Sequence, residues 1–448
     1  MRHAAVLGAT VTGVFLAFGA EPVSPQASNS STSQRPAAAS APPAKPASTP
    51  ESRSAAALAL SQEPVYDAGT YERLKEALLS YADLQVRGGW PTLPADAKLA
   101  PGASGPNVAL LRRRLVITED LTTDKRTGDT YDDAVVEGVK RFQLRHGLEA
   151  TGTIGPQTLK ALNVPVKQRL QQLEASLERL AGSSFTFGQR YVVVNIPAAF
   201  AEAVSGDAVE RRYRVIVGKA DRQSPTLTAS ITSVVLNPTW TVPFSITKNE
   251  IIARMRRDPG YISRMHMRVL DGSDREIDAK SIDWSSDRSP NFTVRQDSGT
   301  WNALGAVKID MPNPYSVYMH DTDKRSLFTA DYRFLSHGCS RVDNVRDLAT
   351  WLLSDQPKWT RAAIDQTITA GQLVTVPLSR KVPVAWIYLT AWMMKDGTVQ
   401  FRDDVYDQDN DPIPLSPEEA ARVAEARGGF VQPRVLQNVR SASHLDSH

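Results

Sequence analysis

Apolar residues recur at helical spacing in the part of the chain before residue 190. In GASGPNVALLRRRL they lie three and four positions apart, and YDDAVVEGVKRFQLRHGL repeats the same stripe. A third short helix is predicted for GTIGPQTLKAL, because Pro156 suits a first helical turn and Gly147 suits the end of the preceding helix. Each predicted helix has one apolar face, so we expect residues 100–164 to form a small three-helix bundle.

Two longer amphipathic segments flank this bundle. Residues 63–99 contain the pattern of a helix that stops at Gly88 and Gly89, and we interpret them as a helical scaffold segment. Residues 165–188 carry a leucine stripe of helical period. Because such a stripe must pack on a neighbour, we predict a connecting helix between two domains.

The apolar pattern changes from helical to partly alternating after residue 189. Runs such as RYVVVNI, RRYRVIVG and ASITSVVLN are rich in β-branched residues and are separated by turn residues. We therefore expect residues 189–410 to form a mainly β domain. Residues 243–303 interrupt the pattern with a helical opening and a Gly/Ser/Asp-rich stretch. This insertion could act as a lid over a site, and a solvent-exposed insertion without a role is the alternative.

The two ends of the chain have their own compositions. Residues 1–20 combine a short basic head, an apolar run and small residues, which is the layout of a secretory signal peptide; an uncleaved anchor is the alternative. Residues 21–62 are mostly Ala, Pro, Ser and Thr, and we interpret them as a disordered tether. Residues 411–448 are predicted to hold a C-terminal helix and a polar tail.

Composition and charge exclude several classes of function. The chain of 448 residues is 41% apolar and 23% charged, which is ordinary for globular protein, and its length favours more than one domain. A net charge of only +3 argues against a strongly electrostatic nucleic-acid binder, so no nucleic-acid partner is expected. The single cysteine cannot form an internal disulfide or a multi-thiolate metal site. We predict neither a metal site nor a cofactor.

The single cysteine lies in the polar stretch FLSHGCSRVDN. A thiol attacks as its thiolate, so Cys339 would need a base, and His320 and His337 are the leading candidates. The N–H of Gly338 could help to cradle an oxyanion, and Arg341 could present a cation to a substrate carboxylate. Spacing alone leaves both histidines open as the base. The alternative is that Cys339 is a small buried apolar residue.

The motif SHGCSRV, preceded by YMHDT, resembles the signature of L,D-transpeptidases with a YkuD-type catalytic domain. The resemblance extends to LNPTWTVP, LGAVKIDMPNPYSVYMHDT and VAWIYLTAWMMKDGTVQFRDDVYDQD, and the three helical segments resemble a peptidoglycan-binding domain of the three-helix type. Together they are similar to the larger periplasmic members of the family. The implied fold is an α+β multidomain chain. A mainly β catalytic domain, a YkuD-type β-sandwich with a helical insertion, would join the small three-helix domain.

The resemblance implies a role for each residue around the thiol. Cys339 would be the nucleophile and His320 the general base, with its ring oriented by the backbone carbonyl of Asp321. His337 and Gly338 would shape the oxyanion and acceptor environment.

Four further residues are implied to contact the substrate. Tyr318 would contribute its hydroxyl from the strand face that carries the base, and Arg341 would stabilise the loop or bind a stem carboxylate. Ser336 would belong to the same substrate-binding set. Trp240, in NPTWTVP, could line the donor groove or fill the core.

The reaction implied by the resemblance is an acyl transfer between peptidoglycan stem peptides. Cys339 would attack a donor tetrapeptide, D-alanine would leave, and an acceptor amine would resolve the thioester into a 3-3 cross-link. Two alternatives are an L,D-carboxypeptidase or D-amino-acid exchange enzyme using the same thioester, and a catalytically dead peptidoglycan-binding scaffold. The implied location is the periplasm. Stem peptides are the implied partners, peptidoglycan synthases are candidate partners, and a carbapenem is expected to acylate the thiol.

Overall fold

A computed structural model of the protein describes residues 61–286 and 290–410. The signal peptide predicted for residues 1–20 and the tail predicted for residues 411–448 lie outside the described residues, as does the tether up to residue 60. Within the described part of the chain, every helix is too short or too polar to cross a membrane.

Helices precede the sheet along the described chain. They are α1 (Thr70–Val86), α2 (Pro106–Ile117), a 3₁₀ turn (Thr123–Lys125), α3 (Asp133–Arg145), α4 (Pro156–Leu162) and α5 (Val166–Ala181). Pro156 occupies the first turn of α4, where its missing N–H leaves no hydrogen bond unmade. Gly147 follows the end of α3 with φ +69°, a backbone conformation that favours glycine.

The helices α2, α3 and α4 pack around a core of their own. The apolar stripe seen in the sequence supplies most of it, and five of these side chains have at most 1% of their surface exposed: Val108, Leu111, Leu115, Val139 and Phe142. Full burial of a large apolar side chain contributes roughly 1.5–3 kcal/mol relative to exposure. The periodicity of the sequence therefore corresponds to a compact helical bundle.

The strands run from residue 190 to residue 401. In chain order they are β1 (Arg190–Asn195), β2 (Phe200–Ser205), β3 (Ala208–Gly218), β4 (Leu227–Leu236), β5 (Trp240–Thr241), β6 (Met267–Leu270), β7 (Glu276–Ile277), β8 (Thr293–Gln296), β9 (Val307–Asp310), β10 (Met319–His320), β11 (Phe334–Ser336), β12 (Ser340–Val342), β13 (Val374–Ile387), β14 (Ala391–Met393) and β15 (Val399–Phe401).

A nine-stranded sheet forms the body of the β domain. Its order is β11-β3-β12-β10-β9-β4-β13-β1-β2, and an additional pairing of β2 with β3 closes it on itself. Val192 and Val194 of β1 belong to the main apolar core, to which the helices α9 (Val345–Leu352) and α10 (Arg361–Thr369) also contribute. Val193, between those two valines, belongs to a second core. Strand β1 is therefore buried on both faces.

The second core joins the helices to the β domain. Five of its members come from five different elements and are at most 5% exposed: Leu74, Leu173, Val193, Trp392 and Phe401. Both α1 and α5 contribute, together with the β14–β15 hairpin. The amphipathic faces predicted for α1 and α5 are thus accounted for by this packing.

Buried polar contacts fix the helical bundle to the same hairpin. Arg145 at the end of α3 makes a two-point ion pair with Asp120, at 2.5 and 2.6 Å, and both side chains are buried. Arg145 also donates to the carbonyl of Val399 at 3.4 Å, and Arg402 donates to the carbonyl of Arg145 at 3.1 Å. Because buried charges need partners, separation of these elements would be costly.

The insertion at residues 243–303 is a folded unit with its own sheet and core. Three of its strands join β5, which lies just before the insertion, in a four-stranded sheet of order β5-β8-β6-β7. The helical opening holds α6 (Phe244–Ile246), a π-helical turn (Thr247–Ile251), α7 (Ile252–Arg257) and α8 (Tyr261–Arg264), and 3₁₀ turns lie at Ala279–Ser281 and, beyond the insertion, Arg325–Thr329. The strands β6, β7 and β8 lie in the stretch interpreted from sequence only as Gly/Ser/Asp-rich. The α+β multidomain class with a mainly β catalytic domain is confirmed.

Acid should weaken the junction between bundle and hairpin through His146. Its ring stacks on Phe142 and Phe401 with centroids 3.9 and 5.7 Å apart, and burial holds its pKa well below the usual 6.5. The unfolded chain therefore binds a proton below pH 6.5 that the folded chain excludes, which destabilises the fold by up to about 1.4 kcal/mol per pH unit.

We expect His146→Phe to show a smaller drop in Tm between pH 7 and pH 5 than the wild-type chain. Differential scanning calorimetry at both pH values measures this difference. Equal drops in the two proteins would contradict the role of His146.

Candidate active site

Side chains alternate between core and site along residues 317–320, a segment that ends in β10. Val317 and Met319 point into the main core, at 9% and 0% exposure. Tyr318 and His320 therefore point to the outer face of the sheet, since successive side chains of a strand alternate. Their rings meet edge to face with centroids 5.7 Å apart.

The parallel pairing of β10 with β12 brings the cysteine to this outer face. Met319 pairs with Ser340, His320 pairs with Arg341, and the Ser340 N–H donates to the Tyr318 carbonyl at 3.1 Å. Continuing this register by one residue places Cys339 beside Tyr318. The outer face thus carries Tyr318, His320, Cys339 and Arg341 on two adjacent strands.

Lys308 adds a second cation to the same face. It pairs with His320 across the antiparallel strands β9 and β10, and its Nζ lies 4.6 Å from the centroid of the Tyr318 ring. Its Nζ also lies 2.6 Å from Oδ1 of Asp310. Sequence reasoning did not include Lys308. The sequence signal that could have identified Lys308 is its position between Val307 and Ile309, two apolar residues of an alternating run.

Burial sets the protonation states of Cys339 and His320. Burial raises the pKa of the Cys339 thiol to about 11, although hydrogen bonds from Tyr318 and the cations Lys308 and Arg341 act in the opposite direction. Burial lowers the pKa of His320 to about 3, and the Arg341 and Lys308 charges add to that shift. At neutral pH the resting site therefore holds a protonated thiol and a neutral imidazole, which can accept a proton.

A cleft opens beside this face. Its volume is about 400 Å³, and its lining includes Trp240 of β5 together with Lys308 and Tyr318. The Trp240 side chain hydrogen-bonds the Tyr318 hydroxyl, and its ring also packs against the core of the insertion. Trp240 therefore both lines the cleft and contributes to a core, and its contact with a donor stem stays a prediction.

Comparison with known proteins gives two family matches for this chain. Residues 189–376 match the family described as "L,D-transpeptidase catalytic domain" (YkuD), and residues 104–162 match the "Putative peptidoglycan binding domain" family. The chain contains a YkuD-type L,D-transpeptidase domain and a peptidoglycan-binding domain.

Individual relatives are also named as L,D-transpeptidases. The chain is 33% identical over 219 residues to a protein of Haemophilus influenzae named "Putative L,D-transpeptidase", a match that covers 49% of this chain and 44% of that protein. The chain thus spans less than half the length of this curated relative.

Solved structures of L,D-transpeptidases from Xylanimonas cellulosilytica and Mycobacterium smegmatis are 14% and 15% identical to the chain. Both have a TM-score of 0.22. They cover 66% and 44% of this chain, and 98% and 58% of their own.

Hydrogen bonds within the transpeptidase domain hold the loop at residues 336–339, the cysteine loop. Ser336 Oγ accepts from the Gly338 N–H at 3.1 Å and donates to the Cys339 carbonyl at 2.5 Å. Ser224 Oγ donates to the Gly338 carbonyl at 2.7 Å. Gly338 has φ +115°, a region that side chains with a Cβ rarely adopt, so this position requires glycine. In this geometry Ser336 and Gly338 shape the loop, and their contacts with substrate stay predictions.

His320 and Asp321 lie on opposite faces of the same chain segment. The Asp321 carboxylate accepts from Arg325 at 2.9 Å and from the Ala306 N–H at 3.1 Å. The Asp321 backbone raises the pKa of His320 slightly against the effect of burial. Nδ1 of His320 is buried and has no hydrogen-bond partner among the described residues. Orientation of the ring by Asp321 therefore stays a prediction.

His337 faces the insertion. Its Nε2 lies 2.6 Å from Oε1 of Glu250, which belongs to the π-helical turn, and the same oxygen accepts from Arg222 at 2.5 Å. Sequence reasoning found neither Glu250 nor Arg222. Glu250 and His337 are 87 residues apart, and no local pattern connects them.

Alkylation of Cys339 tests the protonation states directly. Because the thiol pKa is raised to about 11, the thiolate fraction at neutral pH is below that of free cysteine and rises with pH. We expect the iodoacetamide reaction rate, measured by mass spectrometry, to increase continuously from pH 7 to pH 10. A rate that is already constant between pH 6 and pH 8 would mean a preformed thiolate and would contradict this description.

Proposed function

We propose that the chain forms 3-3 cross-links between peptidoglycan stem peptides through a thioester on Cys339. The observation that carries this proposal is the strand register that places His320, Tyr318, Cys339 and Arg341 on one face beside the cleft. A candidate nucleophile and base lie on this face together with the cations Lys308 and Arg341, and such a set suits acyl transfer.

The first half-reaction transfers the donor to the enzyme. Cys339 Sγ attacks the carbonyl between the third and fourth residues of the stem tetrapeptide as His320 takes the thiol proton. The carbon–nitrogen bond then breaks, D-alanine leaves with that proton on its amine, and a thioester remains. The neutral state of His320 supports this role because a protonated imidazole could not act as the base.

The second half-reaction transfers the donor to another stem. The amine of a diaminopimelate side chain attacks the thioester carbonyl, an amide forms, and the carbon–sulfur bond breaks to regenerate Cys339. Water must be kept from the thioester during this step. The insertion, which packs beside the cleft through Trp240, is suited to that exclusion.

Cations beside the cleft suit a substrate that carries carboxylates. Lys308 lines the cleft, and Arg341 lies on the same face with its Nε buried and without a hydrogen-bond partner among the described residues. Guanidinium and ammonium groups bind carboxylates strongly when partly desolvated. The bundle at residues 104–162 would hold the enzyme on the polymer, which places its action in the periplasm or cell wall. Peptidoglycan synthases remain candidate partners.

Product analysis tests the proposed reaction. Purified protein is incubated with tetrapeptide muropeptides, and the products are identified by mass spectrometry. We expect cross-linked dimers with wild-type protein and none with Cys339→Ala, because the thioester cannot form. Tripeptide products without dimers would instead show carboxypeptidase activity. Cross-linking that survives Cys339→Ala would exclude the thioester mechanism.

Acylation by a carbapenem tests the nucleophile and the base separately. We expect a mass adduct on the Cys339 peptide, and an acylation rate at least about 100-fold lower in His320→Gln, because the general base is lost. Iodoacetamide alkylation at high pH serves as the control, since it needs no base and should remain. An active wild-type protein without any adduct, or a His320→Gln variant acylated at the wild-type rate, would contradict these assignments.

A further inference from the structure

One carboxylate connects the insertion to the cysteine loop. Oε1 of Glu250 accepts from His337 at 2.6 Å and from Arg222 at 2.5 Å. The three side chains are only 28–34% exposed, so the contact is partly shielded from solvent. Glu250 lies in the π-helical turn Thr247–Ile251, a rare form of helix that is frequent at functional sites.

The two partners of Glu250 lie on two segments that are hydrogen-bonded to each other. Arg222 lies in the turn after β3, where its N–H donates to the Lys219 carbonyl at 3.0 Å. The Lys219 N–H in turn donates to the Ser336 carbonyl at 3.0 Å, at the base of the cysteine loop. His337 belongs to the cysteine loop, so Glu250 connects that loop to the turn after β3.

The Glu250 contact decides which nitrogen of a neutral His337 ring carries the hydrogen. Burial raises the pKa of Glu250, but hydrogen bonds from Arg222 and His337 outweigh it, and the pKa is lowered overall. The carboxylate is therefore ionised at neutral pH and can only accept. Nε2 must then hold the hydrogen, which leaves the lone pair on Nδ1. A carboxylate in this position also stabilises positive charge that develops on the ring.

We propose that Glu250 is a positioning residue that holds His337 for deprotonation of the acceptor amine, so that the insertion completes the acceptor half of the site. This inference rests on the proposed function. The acceptor ammonium gives one proton to Nδ1 of His337 and from there to solvent. Its nitrogen bonds to the thioester carbon, Sγ of Cys339 leaves, and the second amine proton reaches Sγ through His320.

The two half-reactions are measured separately in Glu250→Ala, Glu250→Gln and His337→Asn. Acylation is followed by the mass of the protein with a tetrapeptide muropeptide alone, and transfer by the loss of that adduct when a diaminopimelate-containing stem is added. We expect acylation within about twofold of wild type and transfer roughly tenfold slower in Glu250→Ala. Glu250→Gln, which keeps a hydrogen-bond acceptor, should fall between wild type and Glu250→Ala.

A double-mutant cycle separates positioning from a merely structural role. If Glu250 acts through His337, Glu250→Ala combined with His337→Asn transfers no more slowly than His337→Asn alone. Glu276→Ala is the matched control, because Glu276 is an exposed glutamate of the same insertion and lies 3.9 Å from Arg268 in an ion pair. This control should keep both rates. The isosteric Glu250→Gln keeps the test valid if the alanine variant fails to fold.

Three results would overturn the inference: an unchanged transfer rate in Glu250→Ala, a parallel loss of acylation and transfer, or additive effects in the cycle. Failure of the proposed function gives a different result. In that case wild-type protein forms no adduct with the tetrapeptide donor, and the inference fails with it.

Discussion

The parallel pairing of Met319 with Ser340 is the constraint on which the chemistry of this chain depends. Side chains alternate along a strand, so a slip of one residue in this pairing would send Cys339 and His320 to opposite faces. The register is fixed because Met319 and Val342 are fully buried in the core behind the site. Packing on the inner face therefore determines which polar groups meet on the outer face.

Burial gives Cys339 and His320, the proposed nucleophile and base, defined protonation states. A thiolate and an imidazolium are both penalised in this environment, and the raised pKa of Cys339 and the lowered pKa of His320 express that penalty. The proton would move only when a bound carbonyl accepts the sulfur. The hydrogen bonds of Ser336 and Ser224 hold the backbone next to Cys339 in place meanwhile. A protonated thiol also resists oxidation better than a thiolate does.

The sequence predicted those elements that depend on residues close together in the chain. The stripe containing Leu111 and Phe142 predicted helices with a shared core, and the motif around Cys339 identified the stretch that carries the thiol. The short strands of the insertion were missed, because two to four residues rich in polar side chains hold too little periodicity. The partnership of Glu250 with His337 is purely tertiary, since it arises only when the insertion packs beside the cysteine loop.

We propose that one outer sheet face performs acyl transfer through Cys339, so the acyl-enzyme is the species to detect. Rapid mixing of the protein with a tetrapeptide muropeptide, followed by intact-protein and peptide mass spectrometry, tests it most directly. We expect a transient adduct on the Cys339 peptide, with the mass of the donor minus D-alanine, that appears before any product. Product formation without an adduct on Cys339, or with an adduct on another residue, would contradict it.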